Sequence, residues 1–69
     1  MSKLEVKLNG KNRKIEKNST LKHLLQALDI NPDTIVTEVN LEIIKKDKHK
    51  DFILKNGDCV EIITFMGGG

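Results

Sequence analysis

Leu21, Leu24, Leu25 and Leu28 fall at i, i+3, i+4 and i+7, one apolar stripe along a single helix. A lone helix with one apolar face has to lay that face on something else, and the alternating segments on either side of it supply a sheet. Ser19 or Thr20 stands where a cap would accept a backbone N–H. The helix should stop near Asp29, because Pro32 disfavours helical geometry at Asn31, and Asn31-Pro32-Asp33 reads as a turn. With 69 residues the chain is one small domain. A domain of that size buries only about 60% of the surface its unfolded chain exposes and is marginally stable.

Upstream, Leu4, Val6 and Leu8 alternate with Lys3, Glu5 and Lys7, the period of a strand with one buried face. Asn9-Gly10 suits a tight turn into a second strand, predicted over 12–17 with Ile15 inward. Downstream of the helix, Ile35–Val39 is the next strand, and Glu42–Lys46 a further one with Ile43 and Ile44 as its apolar residues. Phe52, Ile53 and Leu54 should pin the polar loop before them to the core. Asn56-Gly57 then turns the chain into a last strand that is apolar on both faces. Val60 and Ile62 fall on one side, Cys59, Ile63 and Phe65 with Glu61 on the other. A single helix covers one face, which leaves Ile63 and Phe65, with Met66, as candidates for partner docking. A covering loop or a crowded central strand fits the same pattern.

Several classes of function are disfavoured. The formal net charge is +2, and the basic run Lys45–Lys50 is interrupted by Asp47 and followed by Asp51, so it reads as a solvated loop. There is no Trp or Tyr and only two Phe on which bases could stack, which argues against nucleic-acid binding. No Cys, His and acidic residues cluster at metal-ligand spacing, and no phosphate-binding glycine loop is present. The sole cysteine, Cys59, lies in the last strand and is expected to be a buried or half-buried structural thiol. His23 and His49 are expected to be solvated. The N-terminal segment lacks a signal-peptide core and no apolar run reaches the roughly 18 residues of a membrane span, so the expectation is a soluble cytoplasmic protein. Without a pocket or paired catalytic carboxylates, the chain reads as the substrate or partner of an enzyme.

The last strand runs directly into Gly67-Gly68-Gly69. Average glycine usage is about 7%, so three terminal glycines arise by chance roughly three times in ten thousand. The alternative to a functional tail is a cloning scar or a frayed end. A free α-carboxylate titrates at about 3.3 to 3.7 and is an anion at neutral pH. On a tether without side chains it can enter a narrow channel.

The order hairpin, one helix, two strands and a last strand ending on glycines resembles the ubiquitin-like β-grasp fold. That is an α+β fold with a mixed sheet of about five strands packed against one main helix. Within it, Thr20–Leu28, Val39-Asn40 and the run from Asn56-Gly57-Asp58 through Val60-Glu61-Ile62 to Gly69 resemble the ThiS family of thiamine-biosynthesis sulfur carriers. The family often has glycine after the asparagine at position 40, where this chain has Leu41. The turn between the third and fourth strands is therefore where a departure is expected.

The resemblance implies a β-grasp domain over 1–66 and a flexible glycine tail over 67–69. It implies that a separate ThiF-type enzyme uses ATP and Mg²⁺ to adenylate the C-terminal carboxylate, after which sulfur from a persulfide donor displaces AMP. The resulting thiocarboxylate delivers sulfur to the thiazole synthase ThiG. Carried onto this chain, the reacting group belongs to Gly69, with Gly67 and Gly68 as its access tether. The chain itself would bind no cofactor or metal. Three alternatives share parts of this pattern: a small subunit of molybdopterin synthase, commonly somewhat longer; a ubiquitin-like protein modifier; and a non-covalent β-grasp interaction module.

Overall fold

The computed structural model describes residues 2–64. Five strands form one mixed sheet, β1 (Lys3–Leu8), β2 (Lys11–Glu16), β3 (Ile35–Val39), β4 (Glu42–Ile44) and β5 (Cys59–Thr64), in the order β2-β1-β5-β3-β4. The helix α1 (Leu21–Ala27) lies across one face. All neighbours are antiparallel except β1 and β5, whose parallel pairing sets the first and last strands side by side within the sheet. Among the described residues no helix is long and apolar enough to cross a membrane.

The helix is closed at both ends by local chemistry. Thr20 accepts the His23 N–H, and the Thr20 N–H donates to His23 Nδ1, so a histidine fills the return position of a capping box usually held by Glu or Gln. His23 is exposed as expected, but it has this structural task. At the far end the Asp29 and Ile30 N–H groups bond back to the Gln26 and Leu25 carbonyls, with Asp29 left-handed at φ 57°. This paired closure ends the helix before Pro32 is reached. Asn31 then caps a single 3-10 turn, Pro32–Thr34.

Leu21, Leu24 and the first residue of the closing segment, Phe52, join Val6, Ile15, Val39, Leu54 and Val60 in the core, Phe52 only partly buried. Phe52–Leu54 is held against the start of the helix by two backbone bonds, Leu21 N–H to the Phe52 carbonyl and Leu54 N–H to the Ser19 carbonyl. Leu54 is buried as expected, whereas Ile53, one residue out of phase, points to solvent. On β3 the inward Thr37 hydroxyl is buried without a hydrogen-bond partner among the described residues. Such a group costs about 1–3 kcal/mol in a core.

Two local expectations need correcting. The basic segment is not a loop throughout: Lys46–Asp51 winds into a 3-10 helix packed near α1, which shortens β4 to Glu42–Ile44. That winding turns His49 inward, 5% exposed, with Nε2 3.2 Å from the Ile44 carbonyl oxygen. Burial on one side and a hydrogen bond on the other replace the solvation predicted for it.

The turn between β3 and β4 is a two-residue connection with both Asn40 (φ 52°) and Leu41 (φ 72°) left-handed. Of the five non-glycine residues at positive φ among those described, the other four are Asn or Asp, which tolerate this region. Leu41 holds the second left-handed position of the turn, at a conformational cost of about 1–2 kcal/mol. Its side chain is 89% exposed and recovers little by burial. Leu41→Gly should therefore raise stability by about 0.5–1 kcal/mol, the relief of strain less the added freedom of the unfolded glycine. Urea denaturation reads this as a higher midpoint at constant slope, and a lower midpoint would contradict it.

Candidate functional site

β5 is the strand from which the tail continues, and its setting is built by two asparagines. On one flank it pairs with β3 along its length, from Val60 opposite Val39 to Thr64 opposite Ile35. On the other, β1 reaches only as far as Leu8 opposite Val60. There the left-handed Asn9 takes over. Its backbone N–H donates to the Val60 carbonyl, its side-chain Oδ1 accepts the Ile62 N–H at 2.8 Å, and its Nδ2 donates to the Ile62 carbonyl at 3.3 Å. One side-chain amide thus does for Ile62 what a further residue of β1 would have done.

Asn40 works in the same way at the start of the strand. Its backbone N–H donates to the Cys59 carbonyl, its Oδ1 accepts the Cys59 N–H at 3.0 Å, and its Nδ2 donates to the Asp58 carboxylate at 3.0 Å. The other Asp58 oxygen accepts the Lys55 N–H at 2.8 Å and closes the turn around Gly57 (φ 89°). Asn56 Oδ1 and the Gly57 N–H together engage both backbone groups of Glu5 on β1. The Asn56-Gly57-Asp58 motif is therefore a latch that fixes where β5 begins. In the sequence Asn9 and Asn40 read as turn formers alone, and their second role is not legible there. An asparagine at a left-handed turn beside a short strand pair is the signal that would have found it.

The two faces of β5 divide as its period requires. Val60 and Ile62 point to the helix side, Val60 fully buried. Ile63 stands on the uncovered face, 48% exposed, although β5 is central in the sheet. Centrality supplies backbone partners but no cover, since α1 packs on the other face. Across the strands Ile63 lies opposite Val36, Glu61 opposite Glu38, and Glu38 opposite Ile43, which is 66% exposed. Cys59 shares this face and is exposed, which corrects the expectation of a buried or half-buried thiol. Phe65 and Met66, the other docking candidates, and Gly67, Gly68 and Gly69 lie outside the described residues. Among the described residues no three His, Cys, Asp or Glu side chains gather at metal-binding distance.

The geometry matches known proteins over nearly its whole length. A sequence profile of the ThiS family matches residues 6–69. The sulfur carrier protein ThiS of Bacillus subtilis (strain 168) is 35% identical over 65 residues, covering 93% of this chain and 98% of that one. A crystal structure of the thiamine biosynthesis protein ThiS from Geobacter metallireducens superposes with a TM-score of 0.83 at 29% identity, covering 96% of this chain and all of the other. Thiazole synthase of Paramagnetospirillum magneticum is 32% identical over 66 residues, and there this chain spans only 20% of the relative's length.

Proposed function

Since the chain belongs to the ThiS family, a carrier of sulfur for thiamine biosynthesis and not a catalyst, we propose that the carboxylate of Gly69 is the group on which the sulfur is carried. The main support is positional: Gly67-Gly68-Gly69 follows closely on a strand whose start and middle are each fixed by an asparagine. A rigid base with a tether free of side chains suits delivery of one atom into another protein's site.

The chemistry requires activation. A carboxylate oxygen is a poor leaving group, so a ThiF-type enzyme with ATP and Mg²⁺ supplies a better one. The Gly69 carboxylate attacks the α-phosphorus, pyrophosphate leaves, and an acyl-adenylate forms. A persulfide sulfur then attacks the acyl carbon and AMP leaves. A thiol cleaves the remaining sulfur–sulfur bond, giving a disulfide and the thiocarboxylate. One difficult acyl substitution is thereby divided into easier ones. The groups that bind ATP belong to the partner.

For the acceptor we propose a thiazole synthase. Two thiazole synthases contain a stretch similar to this chain within a protein about five times longer, an arrangement suited to carrier and acceptor working in contact. The thiol steps place the reaction in a reducing compartment such as the cytoplasm. Docking would use the folded body, through Ile63 with Phe65 and Met66.

Intact mass after incubation with ATP, Mg²⁺, a ThiF-type enzyme and a persulfide donor tests the reading. A gain equal to oxygen replaced by sulfur is expected, and it should vanish when Gly69 is deleted. No gain with an enzyme active on another carrier would instead favour a protein modifier or a non-covalent module.

A further inference from the structure

Glu38 and Glu61 sit directly opposite each other on β3 and β5, on the face the helix leaves open. Like charges at that position destabilise a sheet. Glu38 is half-buried, and neither carboxylate forms an ion pair among the described residues, where the acids that do are Glu16, with Lys3, and Asp33, with Lys46. Within the strands, the lysines on this face, Lys3, Lys7 and Lys14, belong to β1 and β2. Lys7, in register with Cys59, is the last of them along β1, and opposite Glu61 that strand has already turned at Asn9. The carboxylates are bordered by Ile43, Val36 and Ile63. The fold thus keeps a repulsive pair of acids within a patch of apolar side chains, where an uncharged pair would stabilise it better.

We propose that Glu38 and Glu61 together receive an arginine of the adenylating enzyme, while Val36, Ile43 and Ile63 supply the apolar contact around it. The proposal rests on the sulfur-carrier reading above and adds the docking chemistry. A planar guanidinium has donors enough to engage two carboxylates at once, which an ammonium on a flexible stem does less well. Arginine among apolar side chains is also a common centre of an interface. The adenylating enzyme is the partner because charge selects it. It must hold a triphosphate and admit an anionic tail, so cations gather at the mouth of its site. Two free carboxylates on the face beside the outgoing strand match that sign and would steer the approach.

Glu38→Gln and Glu61→Gln, singly and together in the full chain, test this by calorimetric binding to the adenylating enzyme without ATP and by urea denaturation. Removing the repulsion should raise the urea midpoint, while affinity should fall about tenfold or more in the double variant and lose much of its salt dependence. A merely structural pair would move stability and affinity in the same direction, and that result overturns the proposal. So would unchanged affinity, or a loss seen only with thiazole synthase as the titrant. Wild-type chain that binds the enzyme with the predicted salt and charge dependence but gains no sulfur would leave this docking assignment standing and remove the sulfur-carrier reading.

Discussion

Gly68→Val should leave the folded body unchanged and lower adenylation by at least about a hundredfold. The substitution lies four residues past the end of β5 in the sequence, so circular dichroism and the urea midpoint should match the wild type. The effect is on delivery. Glycine has no Cβ and reaches backbone conformations closed to other residues, while valine is stiff at χ1 and favours extended backbone. In a channel wide enough for bare backbone, two added methyl groups displace the next carboxylate from the α-phosphorus. A misplacement of about 1 Å can cost two orders of magnitude in such a step. The readout is single-turnover formation of the acyl-adenylate at saturating carrier. Turnover equal to wild type would remove the steric argument and leave the glycines without a chemical reason. A variant that no longer binds the enzyme would instead assign Gly68 to docking.

What could be read ahead of the structure followed from periodicity. The leucine stripe, the alternation of Leu4, Val6 and Leu8, and the bounds of β3 come from side-chain geometry at fixed repeat, and each residue reports its own face. β2 lies one residue earlier than predicted, Lys11–Glu16, because Ile15 is its lone buried apolar residue and one residue cannot set a boundary. Features that depended on two distant segments were not legible. His49 is buried because a short 3-10 helix happens to face α1, and nothing in Lys46–Asp51 predicts that facing. The Asn9 and Asn40 clamps need β5, which lies about 50 and 20 residues further along the chain. The pairing of Glu38 with Glu61 requires the register of two strands separated by a loop and a further strand. Of the candidate site, Ile63 is recoverable because its exposure follows from the period of its own strand and from α1 covering the opposite face.

The same economy makes the fold vulnerable at one point. Leu21 is the first residue of α1 and is fully buried, at the junction where Thr20 caps the helix and the Leu21 N–H donates to the Phe52 carbonyl. Leu21→Ala keeps that backbone bond and raises helix propensity slightly, so any loss reports on packing. Truncating a buried leucine costs about 2–5 kcal/mol, more where neighbours cannot close the gap. Here they are held. Leu54 and Phe52 are tied to the cap by backbone bonds, and Val6 and Val60 lie in paired strands, so collapse into the cavity is restricted. A cost of about 3–4 kcal/mol is expected. A domain of this size has roughly 3–10 kcal/mol in total, by the usual 0.05–0.15 kcal/mol per residue. The variant should therefore lose between a third and all of its stability, seen as a large fall in the urea midpoint or as a chain unfolded at 25 °C. A loss below about 1 kcal/mol would mean that the helix–sheet contact is held mainly by Leu24 and Leu25. Sulfur loading adds a second readout: where the variant stays folded, its Gly69 should still accept sulfur. Folded protein that fails to load would show that the Leu21 junction also sets the geometry of the docking face.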